Sequence, residues 1–257
     1  EDAAIEESEE SLPEIQEEAW TEEETEKETE EENGVDVSEN LAQTGNDEEL
    51  PEENKAAAIS NEYEYCTLED GTVEITQYKG SEASVTIPSK IEGKEVSIIG
   101  ELAFASNEEI ESVTIPNTVT KTQYASFISC KNLKNVYFQK NSKLSALGGA
   151  TFQFCSSLEN IEIPEGNIEI GQGRIEKYEY TLPDGSVQVN ETLTKTGYVF
   201  DSCTGLKNIV IPEGVVDIKG RTFGECENLT QVTLPLSLRK VEYGAFIRCT
   251  GLKNIFL

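Results

Sequence analysis

The chain has 257 residues, a formal charge of −30 and no histidine. An acidic balance of this size argues against nucleic acid or an anionic membrane surface as partner, because like charges repel. The missing histidine removes the usual base for a serine or cysteine nucleophile, and no apolar run approaches the roughly 20 residues that span a bilayer as a helix.

The charge is unevenly spread. Residues 1–60 hold 24 acidic and 2 basic side chains, a balance of −22, and the remainder carries −8. Runs such as Glu22–Glu24 and Glu30–Glu32, with few large apolar residues, cannot bury enough surface to offset ordering entropy. The expectation is an acidic disordered tail over 1–60 and a separate folded domain over 61–257. Within the tail, Leu41-Ala42-Gln43-Thr44-Gly45 is similar to a sortase signal, but the apolar stretch and basic end that such a signal needs do not follow. Trp20 with Leu12 and Ile15 offers a short docking motif, although a solvated spacer is the plainer reading. The Glu runs lack the alternating oxygen ligands and turn glycine of a calcium loop. The chain opens at Glu1 without Met, which suits a processed protein. It closes at Ile255-Phe256-Leu257 inside a strand pattern, so the natural protein is expected to continue.

After the tail, Tyr63–Thr76 alternates apolar and polar residues on either side of Asp70-Gly71, the signature of a hairpin. It leads to a first repeat-like strand ending at Pro88. From there a pattern recurs: Phe104/Asn107/Ile110, Phe127/Cys130/Leu133, Phe152/Cys155/Leu158, Phe200/Cys203/Leu206, Phe223/Cys226/Leu229 and Phe246/Cys249/Leu252. The Phe positions are spaced by 23, 25, 48, 23 and 23 residues, and a period in the twenties marks a solenoid whose coils bury their apolar faces against each other. Phe, Cys and Leu fall at i, i+3 and i+6, one face of a short helical turn. The pairs Val113/Ile115, Val136/Phe138, Ile161/Ile163, Ile209/Ile211, Val232/Leu234 and Ile255/Leu257 alternate with polar residues, as a strand with one buried face does. Proline follows most of them, at Pro88, Pro116, Pro164, Pro212 and Pro235, where it ends the paired stretch. Equivalent strands of successive coils run parallel about 4.8 Å apart, so roughly six coils make a sheet of order 25–30 Å.

The pattern I-G-x-x-A-F-x-x-C-x-x-L-x-x-V-x-I-P resembles that of the BspA-like leucine-rich repeats over about Tyr63–Leu257. The resemblance implies a leucine-rich repeat solenoid: a parallel β-sheet on one face, short helical turns, and the hairpin of residues 61–88 as N-terminal cap. It also implies a bacterial protein that is secreted or held at the cell surface. Asn107 replaces the column cysteine, and Thr122 and Lys195 replace the usual isoleucine.

The 48-residue interval carries about 25 extra residues, 171–195. Within it Tyr178–Asn190 (Y-E-Y-T-L-P-D-G-S-V-Q-V-N) echoes the cap hairpin. It reads as a second hairpin inserted between coils; a decayed repeat is the alternative.

Five of the six cysteines share one repeat position, which favours a buried column of thiols over disulfides or metal. Zinc sites need close cysteine pairs, and none occurs. Buried apolar thiols are the wrong setting for a reactive thiolate, no glycine-rich phosphate loop is present, and nothing places two carboxylates across a cleft. No enzyme activity and no cofactor are expected.

The outward strand positions are the candidate binding surface. They are Ser112/Thr114, Asn135/Tyr137, Asn160/Glu162, Asn208/Val210, Gln231/Thr233 and Asn254/Phe256, on the side expected to be concave. Tyr137, Val210 and Phe256 are apolar groups able to anchor an interface, and Asn135, Asn160, Glu162, Asn208 and Thr233 supply polar contacts. The plainer reading is that these side chains stabilise the sheet by cross-strand pairing, with the Asn/Gln column as a polar ladder. Tyr178, Tyr180 and Asp184 of the insertion form a second candidate, against the reading of a tolerated spacer. The partner class is a protein or a glycan, met without direct insertion into a membrane.

Overall fold

In the computed structural model of the protein, residues 61–182, 186–193 and 197–257 are described, all within the unit Glu49–Leu257. The tail assigned to 1–60 therefore lies outside the described residues, as does the Asp184 turn of the insertion. The strands in chain order begin with β1 (Tyr63–Thr67), β2 (Val73–Tyr78), β3 (Ser84–Thr86), β4 (Lys90–Ile91), β5 (Lys94–Ile99) and β6 (Ser112–Ile115). Next come β7 (Lys121–Thr122), β8 (Asn135–Phe138), β9 (Ala146–Gly148), β10 (Asn160–Ile161), β11 (Glu169–Gln172) and β12 (Ile175–Thr181). The last are β13 (Val187–Leu193), β14 (Asn208–Val210), β15 (Asp217–Ile218), β16 (Gln231–Thr233), β17 (Lys240–Val241) and β18 (Asn254–Phe256).

Each coil contributes one strand to each of two parallel layers. The first layer is the alternating column read from sequence, ordered β3-β6-β8-β10 and then β14-β16-β18. The second runs β2-β5-β7-β9-β11 and then β15-β17. Short stretches around Thr122, Ile170 and Ile218 build the second layer, so the solenoid has two sheets where one face was expected. The hairpin β1–β2 closes it: β2 pairs parallel with β5, and Asp70 Oδ1 accepts from the Thr72 amide (2.9 Å) and hydroxyl (2.7 Å) to set the turn.

The third side carries the Phe-x-x-Cys-x-x-Leu segments. They are hydrogen-bonded turns, and the reason they do not form regular helix lies in the backbone. Two residues four apart in each coil have positive φ, as in Ala125/Ser129, Ala150/Phe154, Tyr198/Ser202 and Arg221/Glu225 (φ 56–62°). Each such residue costs about 1–2 kcal/mol and breaks a helical run. In return the amides turn outward along the stack: Ala125, Phe127 and Ser129 donate to the carbonyls of Gly149, Thr151 and Gln153 at 2.8–2.9 Å. The turn side thereby becomes a third intercoil ladder.

The core is a column between these three ladders. Phe104, Phe127, Phe152, Phe200, Phe223 and Phe246 stack ring on ring, with centroids 4.6–5.7 Å apart and planes 5–19° from parallel. Tyr78 covers the first ring at 5.0 Å, and Tyr63 packs on Tyr78 at 5.1 Å. The column thiols also have a partner. Cys130, Cys155, Cys203 and Cys226 each direct Sγ at the carbonyl of the phenylalanine one coil earlier, at 3.0–3.2 Å. Asn107 stands in the first of these coils, where no such phenylalanine precedes it, and its Oδ1 accepts instead from the amides of Glu109 and Ile110. Burial pushes the Cys155, Cys203 and Cys226 thiols well above the ordinary thiol range.

The insertion leaves and rejoins the stack at one place. Gly149 donates to Gln172 O and its neighbour Ala150 donates to Gly197 O, both at 2.9 Å. Between these points β12 and β13 pair antiparallel, from Ile175↔Leu193 to Thr181↔Val187. At the re-entry a side chain on Gly197 would meet Gly220 O at 1.9 Å, so glycine is required there.

Candidate functional site

The first layer presents its outward residues in two rows, and the pairing registers define them. One row is Ser84, Ser112, Asn135 and Asn160, followed by Asn208, Gln231 and Asn254. The other contains Thr86, Thr114 and Tyr137, followed by Val210, Thr233 and Phe256. Continuing the β8–β10 register past Ile161↔Val136 sets Glu162 beside Tyr137.

The polar row is partly self-satisfied. Asn160 Nδ2 donates to Asn135 Oδ1 at 2.9 Å, Ser112 Oγ donates to Ser84 Oγ at 2.9 Å, and Thr230 Oγ1 donates to Asn208 Oδ1 at 3.3 Å. These bonds engage Asn135, Asn160 and Asn208, in the manner of the polar ladder expected there. The other row is different. Tyr137, Val210 and Phe256 are 52%, 62% and 47% exposed, values that leave about half or more of each side chain in water. Thr233 is half-buried and Glu162 exposed. Tyr178 and Tyr180 lie on β12, beyond the stack, and their side chains are outside the described residues.

The layer is interrupted where the insertion enters. No pairing joins β10 to β14 among the described residues. At this seam lies a cleft of about 530 Å³ whose lining includes Ile163, Glu165, Pro212, Glu213 and Pro235 together with four of the sequence-derived candidates, Glu162, Asn208, Val210 and Thr233. Three carboxylates and no Lys or Arg line it. Glu213 is engaged, accepting from the Leu236 amide (2.9 Å) and the Ser237 amide (3.3 Å). Asn135, Tyr137, Asn160 and Phe256 lie outside the cleft on the same face.

Two further clusters escaped sequence reasoning. Glu101, Tyr124 and Arg174 meet beside the root of the insertion, with Arg174 Nη1 2.7 Å from Glu101 Oε1 and its guanidinium 4.5 Å from the Tyr124 ring centre. They bound a cleft of about 500 Å³ with Lys121, Gln123 and Glu169. On the turn side, Asp201 is buried and accepts from Gln153 Nε2 and Arg221 Nε, both at 3.1 Å. Glu225 Oε1 joins Arg221 (3.1 Å) to Arg248 (3.0 Å), and the Arg221 guanidinium holds its carboxyl below the ordinary carboxylate range. The cluster around Arg174 has no sequence signal, because its members are scattered across coils. In the turn-side cluster the four-residue spacing of Arg221 and Glu225 and the repeat spacing of Glu225 and Arg248 were the signals of proximity, while Asp201 had none.

Among the described residues no three or more His, Cys, Asp or Glu side chains are grouped to hold a metal, and no helix is long and apolar enough to cross a membrane.

The profile of the BspA type leucine-rich repeat region matches residues 76–196 and 175–257 in six copies. Among solved structures, the leucine-rich repeat protein of T. pallidum is 24% identical, with TM-score 0.64 over 77% of this chain and 80% of that one. A leucine-rich repeat protein of Bacteroides ovatus is 26% identical, with TM-score 0.56 over 76% of this chain and 45% of that one. One from Eubacterium ventriosum is 21% identical, with TM-score 0.52 over 76% and 46%. The chain thus spans less than half of the latter two. No curated protein matches it.

Proposed function

Because this chain belongs to the BspA type leucine-rich repeat family, a scaffold of stacked repeats suited to protein interaction, we propose that it is a binding protein displayed outside a bacterial cell. It takes a protein or glycan partner on the outward face of its first strand layer. The observation that carries this reading is the exposure of Tyr137, Val210 and Phe256 along one row of the first strand layer, whose neighbouring row is partly occupied by its own hydrogen bonds. Exposed aromatic and aliphatic side chains on a rigid sheet are inexpensive to bury, since little side-chain freedom is lost. Asn135, Asn160, Glu162, Asn208 and Thr233 would set orientation around them, and Tyr178 and Tyr180 on the inserted hairpin would extend the contact. Cell-surface placement rests on the likeness to BspA type proteins.

The test is a binding screen of the full chain against arrayed extracellular matrix proteins and glycans. Any hit is then repeated with the variant Tyr137→Ser/Val210→Ser/Phe256→Ser. At least a tenfold loss of affinity is expected with an unchanged circular dichroism spectrum, since all three side chains face water. Undiminished binding would overturn the assignment of this face.

A second reading is an accessory module of a longer protein whose activity lies elsewhere. Its support is the length of the B. ovatus and E. ventriosum proteins, of which this chain covers under half.

A further inference from the structure

The junction between β10 and β14 differs from every other junction of the first layer. Elsewhere one carbonyl accepts from two successive amides of the next coil. Ala83 O accepts from Glu111 and Ser112, Glu111 O from Lys134 and Asn135, and Lys134 O from Glu159 and Asn160. Past the insertion, Lys207 O accepts from Thr230 and Gln231, and Thr230 O from Lys253 and Asn254. By this register Glu159 O should accept from Lys207 and Asn208, yet no such backbone bond forms.

The coils are nonetheless in contact on both sides of the gap. Thr204 Oγ1 donates to Ser156 O, and Gly166 N donates to Glu213 O, both at 3.2 Å. The result is a window of unpaired backbone between two strand edges, bounded at each end by a hydrogen bond between the coils. Ile211 N donates to Thr233 O, which commits alternate residues of β14 to β16 and turns the backbone groups of Asn208 and Val210 toward the window. The outer wall is apolar at Val210, Pro212 and Pro235, and acidic at Glu162 and Glu165.

We infer that this window takes an extended basic segment of a protein partner, one Arg or Lys side chain of which seats at the seam. The inference rests on the reading of the strand face as a binding surface and names the partner's chemistry. Free strand-edge amides at Asn208 and Val210 call for peptide carbonyls, as in addition of an extended chain to a sheet edge. The Glu159 carbonyl and the Glu162 and Glu165 carboxylates are acceptors, which a donor-only cation satisfies in full. The aliphatic stem of that cation covers Val210 and Pro212 while its head stays among the carboxylates. The overall charge of −30 favours encounter with a basic partner.

The test uses the full chain at 0.15 M salt and a labelled eight-residue peptide alternating Arg and Val. Two control peptides alternate Glu with Val and Arg with Gly. Binding is read by fluorescence anisotropy and located by hydrogen exchange. The Arg-Val peptide should bind at least tenfold more tightly than either control and protect residues 159–165 and 207–213. The variant Glu162→Gln/Glu165→Gln should weaken it about tenfold while leaving the unprotected exchange pattern unchanged. Absence of binding, equal affinity for the Arg-Gly peptide, or indifference to the double substitution would overturn the inference; the last two would mark general attraction to the acidic chain. Protection centred on Tyr137 or Phe256 would overturn it too, but would leave the strand face standing as a binding surface.

Discussion

At the residue scale, the column cysteine shows how one side chain serves the stack. Its sulfur fills the space of a small hydrophobe and also satisfies a carbonyl one coil away, a contact that alanine does not make. The pH dependence follows from burial. Cys155, Cys203 and Cys226 have folded-state values above the ordinary thiol value near 8.5, so their contribution is complete below that pH. As pH rises past it, the unfolded chain releases thiol protons that the folded chain retains, and folded-state stability falls until the folded values are reached. Each buried thiol contributes a slope of about 1.4 kcal/mol per pH unit in that window. Urea unfolding between pH 8.5 and 10 should therefore show a steeper decline for the native chain than for Cys203→Ala, and equal slopes would mean that Cys203 is open to solvent. The repeat position announced burial of these thiols in the sequence. Their hydrogen bond was not legible, because its acceptor belongs to the preceding coil.

At the element scale, the inserted segment is the feature that sets this stack apart from a uniform one. Its two ends meet next to Gly149 and Ala150, so the coil beneath is geometrically complete without it. Removing residues 173–196 leaves a Phe152–Phe200 spacing of about 24, close to the regular period. The shortened protein is expected to unfold cooperatively, with a midpoint within a few degrees of the native one. The Asn208 amide should gain slow hydrogen exchange as β10 and β14 close. A broad, non-cooperative transition would show instead that the insertion supports the fold. The stretch Tyr178–Asn190, which echoes the cap hairpin in sequence, lies within the antiparallel pair β12–β13. The turn segments were harder to read. Phe, Cys and Leu at i, i+3 and i+6 satisfy a helical face equally well, and only the positive φ values at Ala125, Ser129 and their equivalents separate a turn ladder from a helix.

At the scale of the whole molecule, the solenoid consists of two blocks. Strands β3, β6, β8 and β10 form one and β14, β16 and β18 the other, while the phenylalanine column, with Phe152 and Phe200 5.7 Å apart, and the Gln153–Asp201 bond run across the seam. In such arrays stability is close to a sum of coil and junction terms, so a weakened junction divides cooperativity. Phe223→Ala should cost about 3–5 kcal/mol through the cavity left in the column. Hydrogen exchange should accelerate more over 197–257 than over 84–163, and a uniform loss of protection would indicate a single block. The period of the Phe, Cys and Leu columns determined the solenoid and its parallel strands from sequence alone, because a repeat folds against copies of itself and its contacts are written at a constant spacing; the pair Ile255/Leu257, expected to face inward, is 52% and 86% exposed because no further coil covers it among the described residues. The open seam and the clusters around Arg174 and Asp201 were decided only in three dimensions. They arise where the spacing is broken, and what meets there depends on how coils settle around an insertion that no period describes.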